Sequence, residues 1–151
     1  MAVLYDAAMT YSEKLRISWE DAAALAEKLA AELMPRRDEF RTIIAITRGG
    51  MVPAAIVARR LDITYVDTVG ISSYEDKVQG QVRVIKTVPG NGEGCLVIDD
   101  LVDRGTTAQT VRQLLPKSFI AVLYSKPSGR PFADLAMKDI PQDVWIEFPW
   151  E

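Results

Sequence analysis

The densest concentration of chemistry in the sequence is Val97-Ile-Asp-Asp-Leu-Val-Asp-Arg-Gly-Thr-Thr107. Three carboxylates, Asp99, Asp100 and Asp103, fall within five positions, and Gly105-Thr106-Thr107 opens a helical stretch. Thr hydroxyls and the N–H groups of a helix start can grip a phosphate. Adjacent acids suit ribose hydroxyls or a hydrated Mg²⁺, which takes hard oxygen ligands and keeps several waters. A second candidate loop is Thr47-Arg48-Gly49-Gly50. Its glycines allow close backbone approach to a ligand, the following helix adds a positive dipole, and Arg48 can clamp a phosphate. Taken alone, that loop reads first as an ordinary Gly turn with a surface Arg. A lone Asp-Asp is usually a solvated turn as well. A buried strand that delivers acids straight onto a phosphate-type helix start is far less common.

Positioning these loops requires strands that end where helices begin. Trp19 to about Met34 reads as a helix, with Ser18 as N-cap, Glu20 and Asp21 at the positive end of the dipole, and Pro35 as its stop. Ala22, Leu25, Ala26, Leu29 and Leu33 form its apolar stripe. Thr42–Thr47 is a continuous apolar run, the pattern of a strand buried on both faces. A helix over Met51–Leu61 tolerates Pro53 in its first turn. Strands are predicted over Thr64–Ile71, Gln81–Val88 (exposed), Cys95–Ile98 running into the acid pair, and Phe119–Ser125, with a helix over Gly105–Leu115. Residues 1–15 read as a loosely ordered arm. Alternating strands and helices predict one α/β domain with a mostly parallel twisted sheet, whose ligands sit off the carboxyl ends of the strands.

Composition narrows the chemistry. The 151 residues carry 18 Lys and Arg against 21 Asp and Glu, so no bulk basic field is available to hold nucleic acid or anionic lipid. One Cys allows no intrachain disulfide and suits a reducing cytoplasm. The absence of His removes every His-based triad and HExxH metalloprotease. Catalysis must run on carboxylates, Lys, hydroxyls, backbone dipoles or a hard metal ion. A dinucleotide-binding reading fails on order, because Gly90-Asn-Gly-Glu-Gly94 precedes a strand instead of following one.

The Val97–Thr107 stretch resembles the phosphoribosyl pyrophosphate signature of the type I phosphoribosyltransferases. Ile71-Ser-Ser-Tyr74, Gly92-Glu-Gly94, Lys126-Pro-Ser-Gly-Arg-Pro131 and Ile140-Pro-Gln-Asp-Val-Trp-Ile-Glu-Phe-Pro-Trp150 extend the likeness to the bacterial xanthine-guanine phosphoribosyltransferases. It runs from about Tyr11 to the end. The resemblance implies a type I phosphoribosyltransferase fold with a mobile flap over residues 72–81 and a small purine-binding hood over 126–151. It implies purine salvage: xanthine, guanine and more weakly hypoxanthine would react with phosphoribosyl pyrophosphate. The 5-phosphate would lie on Asp103, Arg104, Gly105, Thr106 and Thr107, preceded by Leu101 and Val102. The pyrophosphate would lie on Arg48 and Gly49. In the family the peptide before that Arg is often cis. Asp99 and Asp100 would face the ribose hydroxyls, with Asp100 ahead of Asp99 as the Mg²⁺ contact.

The resemblance likewise implies that Lys126 donates to the exocyclic oxygen of a 6-oxopurine, that Trp145 stacks on the base, and that the Ile146 backbone reads its other edge. Asp103 would stand near the purine's imidazole ring and accept its proton, and Arg48 would stabilise the departing pyrophosphate. Apart from the resemblance, Lys126 reads as a surface Lys after a strand, and Trp145 and Ile146 as core packing. A homodimer or homotetramer in the cytoplasm is implied. Some relatives associate peripherally with the inner membrane, which nothing in this composition demands.

Four features depart from the family pattern. Arg104 replaces a small polar residue, Thr106 stands where Gly is commoner, Gly80 replaces an Arg of the flap, and relatives continue with an apolar tail beyond the Pro-Trp motif. Two alternatives stay open: an enzyme preferring hypoxanthine, and a non-catalytic nucleotide-binding regulator. The charge balance and the three retained acids weigh against the second.

Overall fold

The computed structural model describes residues 3–6, 9–73 and 82–151. The apolar runs become a six-stranded sheet in the order β6-β5-β4-β7-β8-β9. Its strands are β4 (Thr42–Thr47), β5 (Val66–Ser73), β6 (Val82–Lys86), β7 (Cys95–Val102), β8 (Phe119–Ser125) and β9 (Leu135–Asp139). All pairings are parallel except that of β6 with β5. Three helices flank the sheet: α1 (Trp19–Leu33), α2 (Met51–Leu61) and α3 (Thr106–Leu114).

The central strands are buried on both faces, as their unbroken apolar runs require. On β4, Ile43 and Ala45 join Leu29 of α1 and Val57 and Leu61 of α2 in one core cluster. Ile44 and Ile46 point the other way, to Ala108 and Val111 of α3. Helices α1 and α2 therefore cover one face and α3 the other.

Strand order explains why two distant loops meet. From β4 the chain passes through α2 to β5 on one side, and later returns to β7 on the other side of β4. The loops that follow β4 and β7 thus leave adjacent strand ends in opposite directions. A crevice opens where strand order reverses, and ligands bind at such crevices in open α/β sheets.

Several local expectations shift. Ser18 does cap α1, with the Asp21 N–H donating to its Oγ at 3.0 Å. α1 ends at Leu33 with Met34 as its C-cap, as Pro35 predicts, and the chain tightens into a 3-10 segment over Met34–Glu39 with Pro in its first turn. Residues 1–15 carry strand structure where described. They hold β1 (Val3–Asp6), β2 (Met9–Tyr11) and most of β3 (Glu13–Arg16). β3 pairs in parallel with β10 (Val144–Glu147), so the chain's start straps its end. β5 begins at Val66, later than predicted. β7 carries on through the acid pair to Val102, because Leu101 and Val102 keep pairing with Tyr124 and Ser125 of β8. Most of the flap expected over residues 72–81, including Gly80, lies outside the described residues. Among the described residues no helix is long and apolar enough to cross a membrane.

Candidate active site

The acids sit at the carboxyl end of β7. The Asp100 N–H donates to Asp99 Oδ1 at 2.8 Å. Burial, and then the charge on Asp100, hold the Asp99 carboxyl well above the usual carboxylate range. Burial also raises Asp100, against the opposing effect of a hydrogen bond from Trp150. That bond runs from the indole Nε1–H to Asp100 Oδ2 at 3.1 Å.

The loop after β4 lies directly against this carboxylate. The Thr47–Arg48 peptide is cis. A Cβ at Gly49 would stand 2.3 Å from Asp100 Oδ2, and one at Gly50 would stand 2.2 Å from the Ile98 carbonyl oxygen. Only glycine lets the two strand-end loops approach this closely. Arg48 is exposed beside them.

Beyond β7, Gly105 is the N-cap of α3, one residue earlier than a helical position. Its φ is +87°, and a Cβ there would meet Phe132 at 2.2 Å. Neither constraint admits a side chain. The helix start has no side-chain cap. The first N–H groups of α3, including those of Thr106 and Thr107, therefore lack intrahelical acceptors. The Thr110 hydroxyl donates back to the Thr106 carbonyl at 2.9 Å. Arg104, between the acids and this cap, is exposed.

The turn after β8 brings Lys126 underneath Asp103. The Lys126 N–H donates to the Val102 carbonyl at 2.9 Å, continuing the β7–β8 pairing by one bond. The side chain is only 1% exposed, yet it carries a charge. Its Nζ lies 3.2 Å from Asp103 Oδ2 and 5.2 Å from the centre of the Tyr11 ring. Tyr11 in turn meets Trp145 edge-on, at 5.1 Å between centroids. A buried ammonium needs such partners, since an unpaired one would pay heavily in lost hydration. The other oxygen, Asp103 Oδ1, accepts from Gln142 Nε2 at 2.7 Å.

These groups line one cavity of about 150 Å³, walled by Asp100, Leu101, Asp103, Lys126, Trp145, Ile146, Phe148 and Glu151. Six of these eight were singled out in the sequence. Arg48, Gly49, Asp99, Val102 and Arg104–Thr107 do not line the cavity; Gly49 borders it through Asp100, and the 104–107 loop continues from Asp103. A wider cleft of about 440 Å³, bounded by Lys126, Pro127, Arg130, Pro131 and Asp139, carries none of Asp99, Asp100 and Asp103.

Several residues at the site were not singled out by the sequence. Glu151 lines the cavity beside Asp100; burial pushes its carboxyl up, and the Asp100 charge adds to this. Phe148 stacks on Trp150 at 5.0 Å and 8° between planes. Gln142 and Trp150 reach acids 39 and 50 positions away. Both fall within the quoted Ile140–Trp150 run, but their role depends on partners that only the fold brings near. Among the described residues no three His, Cys, Asp or Glu side chains converge to hold a metal by themselves.

The fold is shared with known enzymes. A purine phosphoribosyltransferase from Pyrococcus horikoshii Ot3 superposes with a TM-score of 0.79 at 24% identity, covering 92% of this chain and 94% of that one. A xanthine-guanine-hypoxanthine phosphoribosyltransferase from Helicobacter pylori gives 0.73 at 24%, with coverages of 92% and 94%. A hypoxanthine phosphoribosyltransferase from Staphylococcus aureus gives 0.66 at 26%, with coverages of 81% and 74%. The architecture is the type I phosphoribosyltransferase fold, and the phosphoribosyl transferase domain profile matches residues 17–151, so the chain belongs to that family.

Proposed function

We propose that the chain is a purine salvage enzyme. It would transfer 5-phosphoribose from phosphoribosyl pyrophosphate to a ring nitrogen of xanthine or guanine, and more weakly hypoxanthine. The observation that carries this reading is the shared cavity. Asp103 lies in the same wall as Lys126 and Trp145, two residues before an uncapped helix start that suits a phosphate.

The substrate class follows from donor chemistry. Lys126 has three donors and no acceptor. It can give a hydrogen bond to the exocyclic oxygen of a 6-oxopurine, whereas adenine offers an amino group at that position. Trp145 and the Ile146 backbone supply a stacking face and an edge reader. In this assignment residues 126–151 act as a hood over the base, and most of the flap, residues 72–81, lies outside the described residues.

In the reaction the bond from the ribose to the pyrophosphate oxygen breaks and a bond to the purine nitrogen forms. The electron pair leaves with pyrophosphate, and the purine proton passes to Asp103. Arg48 and the backbone of Gly49 would take the developing negative charge on the leaving group. The N–H groups of 104–107 and the Thr106 and Thr107 hydroxyls would hold the 5-phosphate. Holding both substrates in one crevice supplies proximity.

The acid pair fits Mg²⁺. Its donors are hard oxygens, and two half-buried carboxylates with raised pKa values gain from a neighbouring cation. With no third acid converging, most ligands would come from water and substrate, as Mg²⁺ prefers. Asp100, ahead of Asp99, would hold the ion, which when bound neutralises charge on the pyrophosphate. We assign a homodimer or homotetramer of the cytoplasm, by family likeness, and no nucleic-acid partner.

The test is a Mg²⁺-dependent assay with phosphoribosyl pyrophosphate and xanthine, guanine, hypoxanthine or adenine. The expected result is nucleotide formation with xanthine and guanine ahead of hypoxanthine and none with adenine. Hypoxanthine in the lead would change the assigned preference, and no turnover with any oxopurine would overturn the proposal.

A further inference from the structure

The geometry points to Gln142 as a positioning residue that keeps the Asp103 carboxylate aimed at the base while Lys126 exchanges partners. This inference rests on the purine assignment above.

Gln142 is fixed from two sides. Its Oε1 accepts the Ser128 N–H at 2.9 Å, and its Nε2 donates to Asp103 Oδ1 at 2.7 Å. The orientation of the amide is dictated chemically. A backbone N–H can only donate, so the amide oxygen must face Ser128, and the NH₂ is left to face the carboxylate. Gln142 thereby ties the turn after β8 to the acid at the end of β7.

The second oxygen of Asp103 has a different partner. Oδ2 is paired with Lys126 at 3.2 Å. If Lys126 reads the exocyclic oxygen of the base, it must loosen this pair when the base arrives. Asp103 Oδ2 then becomes the oxygen available to the purine's ring N–H. A carboxylate held only by Lys126 would be free to rotate at that moment. The Gln142 bond to Oδ1 persists through the exchange and holds the rotamer.

A neutral amide suits this task better than a cation. An Arg or Lys at position 142 would form a second ion pair and compete with the purine proton for Asp103. An amide donor fixes direction and leaves the acid's charge for the reaction.

The experiment is a double-mutant cycle with kcat and both KM values as readouts. Gln142→Met removes both amide bonds at similar length. Gln142→Glu keeps an acceptor for Ser128 but sets a second carboxylate against Asp103. Gln142→Glu is expected to lower kcat about tenfold or more and Gln142→Met less, with the KM for phosphoribosyl pyrophosphate within about twofold. In an Asp103→Asn background, Gln142→Met is expected to change kcat by less than about twofold, because a residue that acts only through Asp103 has nothing left to position. Thermal melting of each variant separates lost fold from lost positioning. Equal losses from Gln142→Met in both backgrounds would overturn the inference, as would kcat values matching wild type. A wild-type chain that makes no nucleotide from any oxopurine would overturn the purine assignment and this inference together. An active wild type with indifferent Gln142 variants would overturn this inference alone.

Discussion

Asp100 and Asp103 line the cavity from one strand end, Asp99 stands beside Asp100, and the three lie within five positions of each other. Lys126 and Trp145 line it from residues 126–151, and from the same segment Lys126, Gln142 and Trp150 touch acids 23 to 50 positions away. The acid strand is rigid because β4 and β8 flank it within the parallel sheet. The C-terminal segment joins that sheet only through its edge strand β9, which pairs with β8. It is tied down by β3 pairing with β10, and by the side-chain bonds from Gln142 and Trp150 to the acids. In the proposed assignment the sheet is a fixed floor for phosphate and ribose chemistry. In the segment above it, the bonds from Gln142 and Trp150 to the acids would double as parts of the site.

If this division holds, substitutions on the strand should strike the chemical step and substitutions in the C-terminal segment should strike the base. Asp103→Asn is expected to lower kcat by about 10²–10³ while the melting temperature stays near wild type, since the amide fills the same space. Steady-state rates at saturating substrates check this, and an unchanged kcat would remove Asp103 as the proton acceptor. Gly49→Ala comes next. Its new methyl would stand 2.3 Å from Asp100 Oδ2 and must displace the acid or the loop. Loss of about 10²-fold in kcat/KM for phosphoribosyl pyrophosphate is expected, given how steeply misplacement is penalised. A wild-type value would show that the two strand-end loops do not act together.

Lys126→Ala should raise the KM for oxopurines by about tenfold or more, with a much smaller change for phosphoribosyl pyrophosphate. Equal changes in both KM values would mean that Lys126 does not read the base, and the contrast between floor and hood would fail there.

The legibility of the two regions differs for the same physical reason. The acid run, the helix start at Thr106 and the glycine loop were readable because each is local: residue types, spacing and the strand-to-helix switch lie in one short window. The burial of β4 on both faces was equally readable, since an unbroken apolar run leaves little else. The continuation of β7 through Asp99 and Asp100 was not, because β8 pairing carries the strand past the point where apolar residues end. The β3 strand is not legible in the sequence of the arm, because it pairs with β10, more than a hundred residues later. Gln142 and Trp150 carry no chemical pattern of their own. Their significance arises only when the sheet brings Asp103 and Asp100 to meet them.

The smallest expected effect concerns stability. Asp99 is held above its ordinary range, by burial first and the Asp100 charge second. Such a group keeps in the native state a proton that the unfolded chain has released, so stability falls as pH rises above about 4 toward the native value. In chelator, Asp99→Asn should melt a few degrees higher than wild type at pH 8, and the difference should shrink toward pH 4. Parallel melting curves at both pH values would show that the acid pair imposes no such load.

The most direct measurement of the central claim is a crystal structure of the chain with a guanosine or xanthosine 5′-monophosphate. The account predicts the phosphate on the N–H groups and hydroxyls of 104–107, the ribose against Asp99 and Asp100, and the base stacked on Trp145 with its exocyclic oxygen on Lys126 Nζ. It also predicts that the Lys126–Asp103 pair has opened while Gln142 still holds Asp103. A nucleotide bound elsewhere, or one bound here with its base turned away from Lys126, would contradict the account.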